Sequence, residues 1–318
     1  MSRPREVLAR LFSTPGPAVG IEVGATRVSA VALAWDKGVP QIVRHARAEL
    51  VKGAVIPSPS AVNIHDREAV TDGIRKVLDV LPGRTTRVGL TVPDVAAKVS
   101  FVQFDKVPTR TADLERLIAW QVRRSVPFRI EDAQLAYTAA ARRPDGGQEF
   151  IVALIRRDIV EEYEAVCRAA GVHAGVVDLT GFNVINAAIT VAPMAESDWL
   201  LVHLAEGYCT LAIVRNRDVI FFGNRPTGNM DDVADLAHQT AMYYQDRLNG
   251  RGLARTVLVG DLNGSDGTLP AMLETRFGTP VERLGATSTI ATPGMRPGGL
   301  DLLAGPVGLL MREHLPAA

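Results

Sequence analysis

Hydrophobic positions near the start of the chain alternate in short runs divided by small polar turns, the period-two pattern of half-buried strands. "VGIEV", "RVSAVALA" and "VPQIVRHARAEL" make three such runs between Val19 and Leu50, separated by a loop around Gly24 and by the turn "WDKG". "AVTDGIRKVLDVL" (69–81) then changes to helical spacing and leads to the strand "RVGLTV" (87–92). The plan recurs in the second half. "LLVHLAEGYCTLAIVRNRDVIFF" (200–222) reads strand, small-residue turn, strand, the polar turn "RNRD" and strand, followed by the helix "DDVADLAHQTAMYYQDRLNG" and the strand "ARTVLVG". Laid on each other, Glu22, Val23, Gly24 and Ala25 fall against His203, Leu204, Ala205 and Glu206. Two copies of one strand-strand-strand-helix-strand unit predict two similar α/β lobes facing each other.

An insert separates the copies. After the strand "KVSFVQF", the segment "TRTADLERLIAWQVRRSVPF" predicts a helix capped by Thr111, favoured electrostatically by Asp113 and Glu115, and closed by Pro127. Leu114, Leu117, Ile118 and Val122 share one face. Trp120 stands about 120° from Leu114 and so meets a second surface, either the neighbouring lobe or, with Arg123 and Arg124 beside it, a binding partner. "AQLAYTAAAR" and "QEFIVALIRR" predict a hairpin around "PDGG". "RDIVEEYEAVCRAAG" predicts a helix capped by Asp158, with Glu161 three residues on, and closed by Gly171. "VHAGVVDLTGFNVINAAI" returns the chain to the first lobe through a strand and a helix.

The glycine turn after Val23 looks at first like a phosphate loop. In P-loop and dinucleotide sites, however, such a turn opens a helix whose amides face the phosphates, and here a strand follows. Both of those folds are therefore disfavoured. Composition narrows the function further. Over 318 residues, 47% are hydrophobic and 22% charged, ordinary for a soluble globular protein. Lys plus Arg and Asp plus Glu are both 35, so no net field favours nucleic acid. Cys167 and Cys209 lie far apart in apolar stretches, which predicts buried thiols rather than a metal site. No signal peptide or membrane-spanning run is apparent, which predicts a cytoplasmic location. The N-terminal Arg3, Arg5 and Arg10 alternate with Val7, Leu8, Leu11 and Phe12, a pattern open to two readings: a frayed tail, or a short helix resting on an anionic membrane.

"GIEVGATRVSAVAL", "LIAWQVRRSVPFRIEDAQLAYT", "GVVDLTGFNVINAAI", "LLVHLAEGYCTLAIVRNRDVIFFGNRPTGN" and "ARTVLVGDLNGS" together resemble the actin-like pilus-assembly proteins of the PilM family, from about Val19 to Leu310. The most specific piece is "SVPFRIEDAQLAYT". The resemblance implies an α/β actin-like fold, with duplicated ribonuclease H-like lobes and an inserted α+β subdomain. It divides the chain into a tail (1–18), a first lobe (19–104 and 172–195), the insert (105–171) and a second lobe (196–318). It also implies a cytoplasmic scaffold in type IV pilus assembly, peripheral to the inner membrane. Such a scaffold grips the short cytoplasmic N-terminus of a PilN-like inner-membrane partner between the first lobe and the insert. Trp120, Val126, Pro127 and Phe128 are the candidate wall residues, and homo-oligomers are compatible with the family.

The same resemblance implies a degenerate nucleotide cleft built from Glu22, Gly24, Ala25, Thr26, His203, Ala205, Gly207, Gly260 and Asp261. Active actin-like ATPases carry an aspartate in each facing turn, where this chain has Glu22 and His203. Mg²⁺ requires hard oxygen ligands at tight distances, and a neutral imidazole is a poor substitute. Asp261 follows Gly260 where the family usually has a second glycine against the adenosine. Only "RPTGNM" separates the hairpin ending near Asn224 from the helix beginning near Asp231, whereas the family places a whole small subdomain there. These departures lead to the expectation of a vestigial site without ATP or Mg²⁺, in a protein that is not an enzyme. The alternatives are a working actin-like ATP-binding protein or ATPase, or the cytoplasmic actin-like part of a type II secretion L-type protein. In an enzyme, Asp178 would serve as general base; otherwise Asp178 or Thr180 caps the following helix. His203 is either an acid-base or metal group or a locally hydrogen-bonded strand residue.

Overall fold

The computed structural model describes residues 16–36, 39–142, 146–191, 197–260, 262, 268–287, 290 and 299–312. The basic N-terminal pattern and Asp261 lie outside them. The duplicated hydrophobic plan folds as two five-stranded sheets of identical construction. In the first, β1 (Val19–Val23), β2 (Arg27–Asp36) and β3 (Val39–Glu49) form an antiparallel meander, and β4 (Arg87–Val92) and β8 (His173–Leu179) add in parallel, in the order β3-β2-β1-β4-β8. In the second, β9 (Trp199–Ala205), β10 (Tyr208–Arg215) and β11 (Asp218–Pro226) repeat the meander, and β12 (Arg255–Gly260) and β13 (Val281–Arg283) the parallel flank. The ladders align the copies residue by residue. Glu22 pairs with Ser29 across its hairpin, and His203 pairs with Thr210 across the equivalent one.

Helix α1 (Arg67–Val80) covers the first sheet, and the Asp66 carboxylate caps it by accepting from Ala69 N at 2.9 Å. Between β4 and β8 the insert builds a third, antiparallel sheet in the order β5-β7-β6, from β5 (Ala97–Phe104), β6 (Ala133–Arg142) and β7 (Gln148–Arg156). Helix α2 (Thr111–Val122) packs Leu114, Ile118 and Val122 on that sheet. Helix α3 (Arg157–Ala169) instead turns Ile159, Tyr163 and Val166 into the core of the first lobe. Helix α4 (Thr180–Val191) follows β8, and the second lobe carries α5 (Met230–Arg247), α6 (Thr268–Phe277) and the short α7 (Leu284–Thr287). Thr227, Gly228 and Asn229 are all that joins β11 to α5, which Asn229 and Asp232 start with a reciprocal capping box.

Several local expectations shift. Helix α2 begins at Thr111 with Arg110 in the capping position, and it ends at Val122, five residues before Pro127. Helix α3 begins at Arg157, so Asp158 is inside its first turn rather than at its cap. The last helix, α8 (Ala304–Met311), lies in the stretch assigned to the second lobe, yet it packs on α4, β1 and β4 of the first. Glycine makes this possible. A Cβ on Gly20 would stand 2.7 Å from Pro306 O, and one on Gly308 would overlap the Asn183 carbonyl, so backbone meets backbone only because both side chains are missing. The core between the lobes is continuous. Val31, Leu33 and Val184 of the first lobe join Leu201, Val257 and Leu300 of the second, and Phe182 stacks on Phe222 with centroids 4.4 Å apart.

Candidate functional site

Strand alternation turns Val19, Ile21 and Val23 toward α1 and α3, and therefore turns Glu22 to the opposite face, toward the second lobe. By the same rule Leu200, Val202 and Leu204 enter the second-lobe core and His203 faces the first lobe. The two turn residues paired by the duplication thus lie on the facing surfaces, as their alignment in sequence predicts.

Glu22 is half-buried, with Oε2 only 2.9 Å from where a Cβ on Gly305 would stand at the start of α8. Burial raises its carboxyl from 4.5 to about 7; Arg27 opposes the rise and Asp94 adds to it. His203 is buried, and burial lowers its imidazole from 6.5 to about 4, with Arg27 contributing. It is neutral at pH 7. Among the described residues its Nδ1 finds no hydrogen-bond partner, so the expected local hydrogen bond is not formed there, and the buried Ser29 hydroxyl likewise finds none among them. Gly24, Ala25 and Thr26 form the first turn, where Gly24 N donates to Arg27 O at 2.9 Å. Ala205 and Gly207 form the second, where Gly207 has φ +76° and its carbonyl accepts from Thr227 N. Gly260 ends β12 at φ +116°, and a Cβ there would strike the Leu204 carbonyl. No other residue fits that position without strain.

The residue that organises this region is one the sequence patterns do not single out. Asp94, two residues beyond β4, is fully buried. Its Oδ2 accepts from Thr210 Oγ1 at 2.6 Å, and its Oδ1 accepts from Gly181 N at 2.8 Å. Its own N–H donates to Tyr208 Oη at 3.2 Å, and its carbonyl accepts from Asn224 Nδ2 at 3.4 Å. Three second-lobe side chains therefore converge on one first-lobe aspartate, which also caps α4. This corrects the capping expectation. Thr180 Oγ1 donates to Val92 O, and Asp178 accepts from its neighbour Leu179 N and lies 3.5 Å from Arg312. The cap comes from β4, the strand beside β8, because parallel pairing brings Pro93 and Asp94 alongside the start of α4. Burial raises the Asp94 carboxyl from 3.8 to about 6 despite the Thr210 and Gly181 bonds. Asp178 is also raised, chiefly by burial.

These groups are a poor match to a magnesium nucleotide. Glu22 is close to half-protonated near pH 7, both Asp94 oxygens are engaged, and His203 offers no hard oxygen. Among the described residues no three His, Cys, Asp or Glu side chains are grouped to hold a metal ion. The two cysteines are buried as expected, their thiols pushed up to about 12 chiefly by burial.

A concavity lies between the edge of the first lobe and the insert. β8 is the outer strand of the first sheet and β6 of the insert sheet. Between them runs a groove of about 390 Å³ lined by Ala136, Ala153, Val160, Ala174, Val176 and Val177 among others. Arg157 and Glu161 connect it to a charged cavity of about 580 Å³ that reaches Phe128 and Arg129. Of the four candidate wall residues only Phe128 lines either space. Val126 and Phe128 are half-buried against the insert core, and Pro127 is exposed. Trp120 is 62% exposed on the outer face of α2, which removes the reading in which it packs on the neighbouring lobe.

Two facing mixed sheets of duplicated topology, with a small antiparallel sheet inserted in the first lobe, define an actin-like ATPase fold. A chain of a PilM-PilN type IV pilus biogenesis complex superposes with a TM-score of 0.78 at 17% identity, over 94% of this chain and 99% of that one. An actin-like ATPase-fold protein of unknown function from Bacteroides thetaiotaomicron gives 0.52 at 10% identity, over 90% and 93%. The cytoplasmic domain of EpsL, an inner-membrane component of the Vibrio cholerae type II secretion system, gives 0.50 at 11% identity, over 94% and 95%. No curated protein matches the sequence. Residues 20–246 match the model of the type IV pilus assembly protein PilM family, and the chain belongs to that family. Among the described residues no helix is long and apolar enough to cross a membrane.

Proposed function

We propose that the protein is a cytoplasmic scaffold of type IV pilus assembly, one that holds the short cytoplasmic N-terminal segment of a PilN-like inner-membrane partner and does not turn over ATP. The observation that carries the docking half is the groove between β8 and β6. An outer strand presents unpaired backbone groups, and the apolar lining offers pockets for alternate side chains of an extended peptide, the recognition mode of strand addition. The likeness to a chain from a PilM-PilN complex supports the choice of partner. Support for the scaffold half comes from Glu22 and His203 standing where the fold's ATPases carry aspartates, and from Asp94 being committed to Thr210 and Gly181.

Two experiments test the proposal. Ala136 is exposed on the groove wall, so Ala136→Trp fills the groove without disturbing the core. Titration of a synthetic partner tail is expected to weaken at least about tenfold in this variant, the loss of one good anchor; unchanged affinity with intact folding would move the docking site elsewhere. For the cleft, calorimetry and melting curves with ATP and Mg²⁺ are expected to show neither heat nor stabilisation. Submillimolar binding followed by phosphate release would establish the ATPase reading instead.

A further inference from the structure

Helix α2 has two faces, and only one is used by the insert core. Leu114, Ile118 and Val122 are buried, while on the opposite side Arg116, Trp120 and Arg123 project outward. Trp120 is 62% exposed, the highest value among the exposed large apolar side chains of the described residues. Arg123 stacks over the indole with its guanidinium carbon 5.4 Å from the ring centroid. Arg124 and Pro127 are exposed in the turn that follows. The acidic groups of this region are largely answered locally: Asp113 pairs with Arg116 at 2.8 Å and Glu131 lies 3.6 Å from Arg129. Glu115 is exposed on the flank. Among the described residues no carboxylate lies within ion-pair distance of Arg110, Arg123 or Arg124, which leaves the end of α2 cationic around an exposed indole.

An amphipathic ring set among arginines on an outward helix face suits the boundary between anionic headgroups and water. A peptide would need walls, and neither of the two described cavities of the insert is lined by Trp120, Arg123 or Arg124. Position agrees. Seven residues separate Trp120 from Phe128, which lines the cavity connected to the β8–β6 groove. Resting on the docking reading above, a partner whose tail is short holds that groove close to the bilayer from which the tail emerges.

We propose that the Trp120–Arg123–Arg124 face of the insert rests directly on an anionic membrane surface, as a second contact beside the partner's tail. The probe is flotation of the full chain with vesicles rich in phosphatidylglycerol, with pure phosphatidylcholine vesicles as the neutral comparison and no partner peptide present. Binding is expected only to the anionic vesicles and is expected to fall as salt rises. At about fivefold per arginine near such a surface, the double variant Arg123→Glu and Arg124→Glu loses more than tenfold. Trp120→Ala weakens binding further and removes the blue shift of tryptophan emission seen on anionic vesicles. All three positions are exposed, so folding is preserved. Equal binding to both vesicle types, no binding to either, or variants that bind like the parent would each overturn the proposal. Loss of partner-tail capture by Trp120→Ala with vesicle binding unchanged would make this a protein-docking face instead. Failure of the groove reading appears separately, as an Ala136→Trp variant that still captures the tail.

Discussion

Replacing Asp94 with asparagine separates what its charge contributes from what its hydrogen bonds contribute. Burial moves this carboxyl from 3.8 to about 6, so the folded state disfavours the ionised form by about 3 kcal/mol. A carboxyl with a folded value above its unfolded one binds more protons folded than unfolded in the interval between them. Its contribution to stability is therefore full below 3.8 and is lost as pH rises through about 6. Asparagine preserves an acceptor for Gly181 N and offers its amide to the Thr210 oxygen, a hydroxyl able to turn and accept. The Thr210 and Gly181 bonds to the charged form are already included in that figure, and imperfect placement of the amide against these two partners offsets about 1–2 kcal/mol of the gain. Near pH 8 the net expectation is a variant more stable by about 1–2 kcal/mol, a melting temperature higher by roughly 1.5–3 °C for a chain of this size. Near pH 4 the advantage disappears. Scanning calorimetry across that range, with Asp94→Ala as control, measures both. The alanine variant strands Gly181 N and the Thr210 hydroxyl and also lacks the titrating carboxyl, so its deficit of about 3 kcal/mol near pH 4 is expected to shrink as pH rises through about 6. An asparagine variant that melts below the parent at pH 8, with an unchanged pH slope, would show that the ionised carboxylate holds the lobes together and would refute the argument.

Other consequences are open to simpler tests. His203→Leu removes an imidazole lowered from 6.5 to about 4; because the unfolded state takes up a proton first, the parent loses stability as pH falls through that window, and denaturant titrations of the variant are expected to lack that loss. Gly308→Ala forces a methyl group into the Asn183 carbonyl and is expected to cost more than about 3 kcal/mol, read as loss of soluble protein or a steep fall in melting temperature. Tyr244 Oη lies 2.6 Å from Asp198 Oδ2 and 3.2 Å from Gly252 O, so Tyr244→Phe should lower stability by about 1–2 kcal/mol in urea titrations, with no change in partner-tail affinity.

The architecture was legible because it is written twice. The period-two runs and the helix after each meander recur with the same spacing, and Glu22 and His203, aligned with each other in the sequence, hold equivalent ladder positions opposite Ser29 and Thr210. Helical geometry correctly took Trp120 off the buried stripe of α2, but nothing local could say whether a second surface waited there. The caps expected at Thr111 and Asp158 missed by one and two residues, the ordinary uncertainty of reading a helix end from side-chain preference alone. Asp94 escaped notice because its importance is topological: its partners at Gly181, Tyr208, Thr210 and Asn224 are 87 to 130 residues away. One signal was available for α8. "AGPVGLLM" has no polar face, and a helix apolar all round must be enclosed.

The position of α8 bears on how the protein matures. The first lobe is made early, yet the surface formed by Gly20, Gly89 and α4 stays bare until residues 304–311 arrive to cover it. During synthesis the earlier lobe is not fully covered until the later one has been made, so its burial is completed only by the last helix. A ribosome stalled before residue 304 releases an unfinished chain that displays sticky backbone and apolar side chains, a form that cellular quality control can recognise and clear before it reaches the pilus machine.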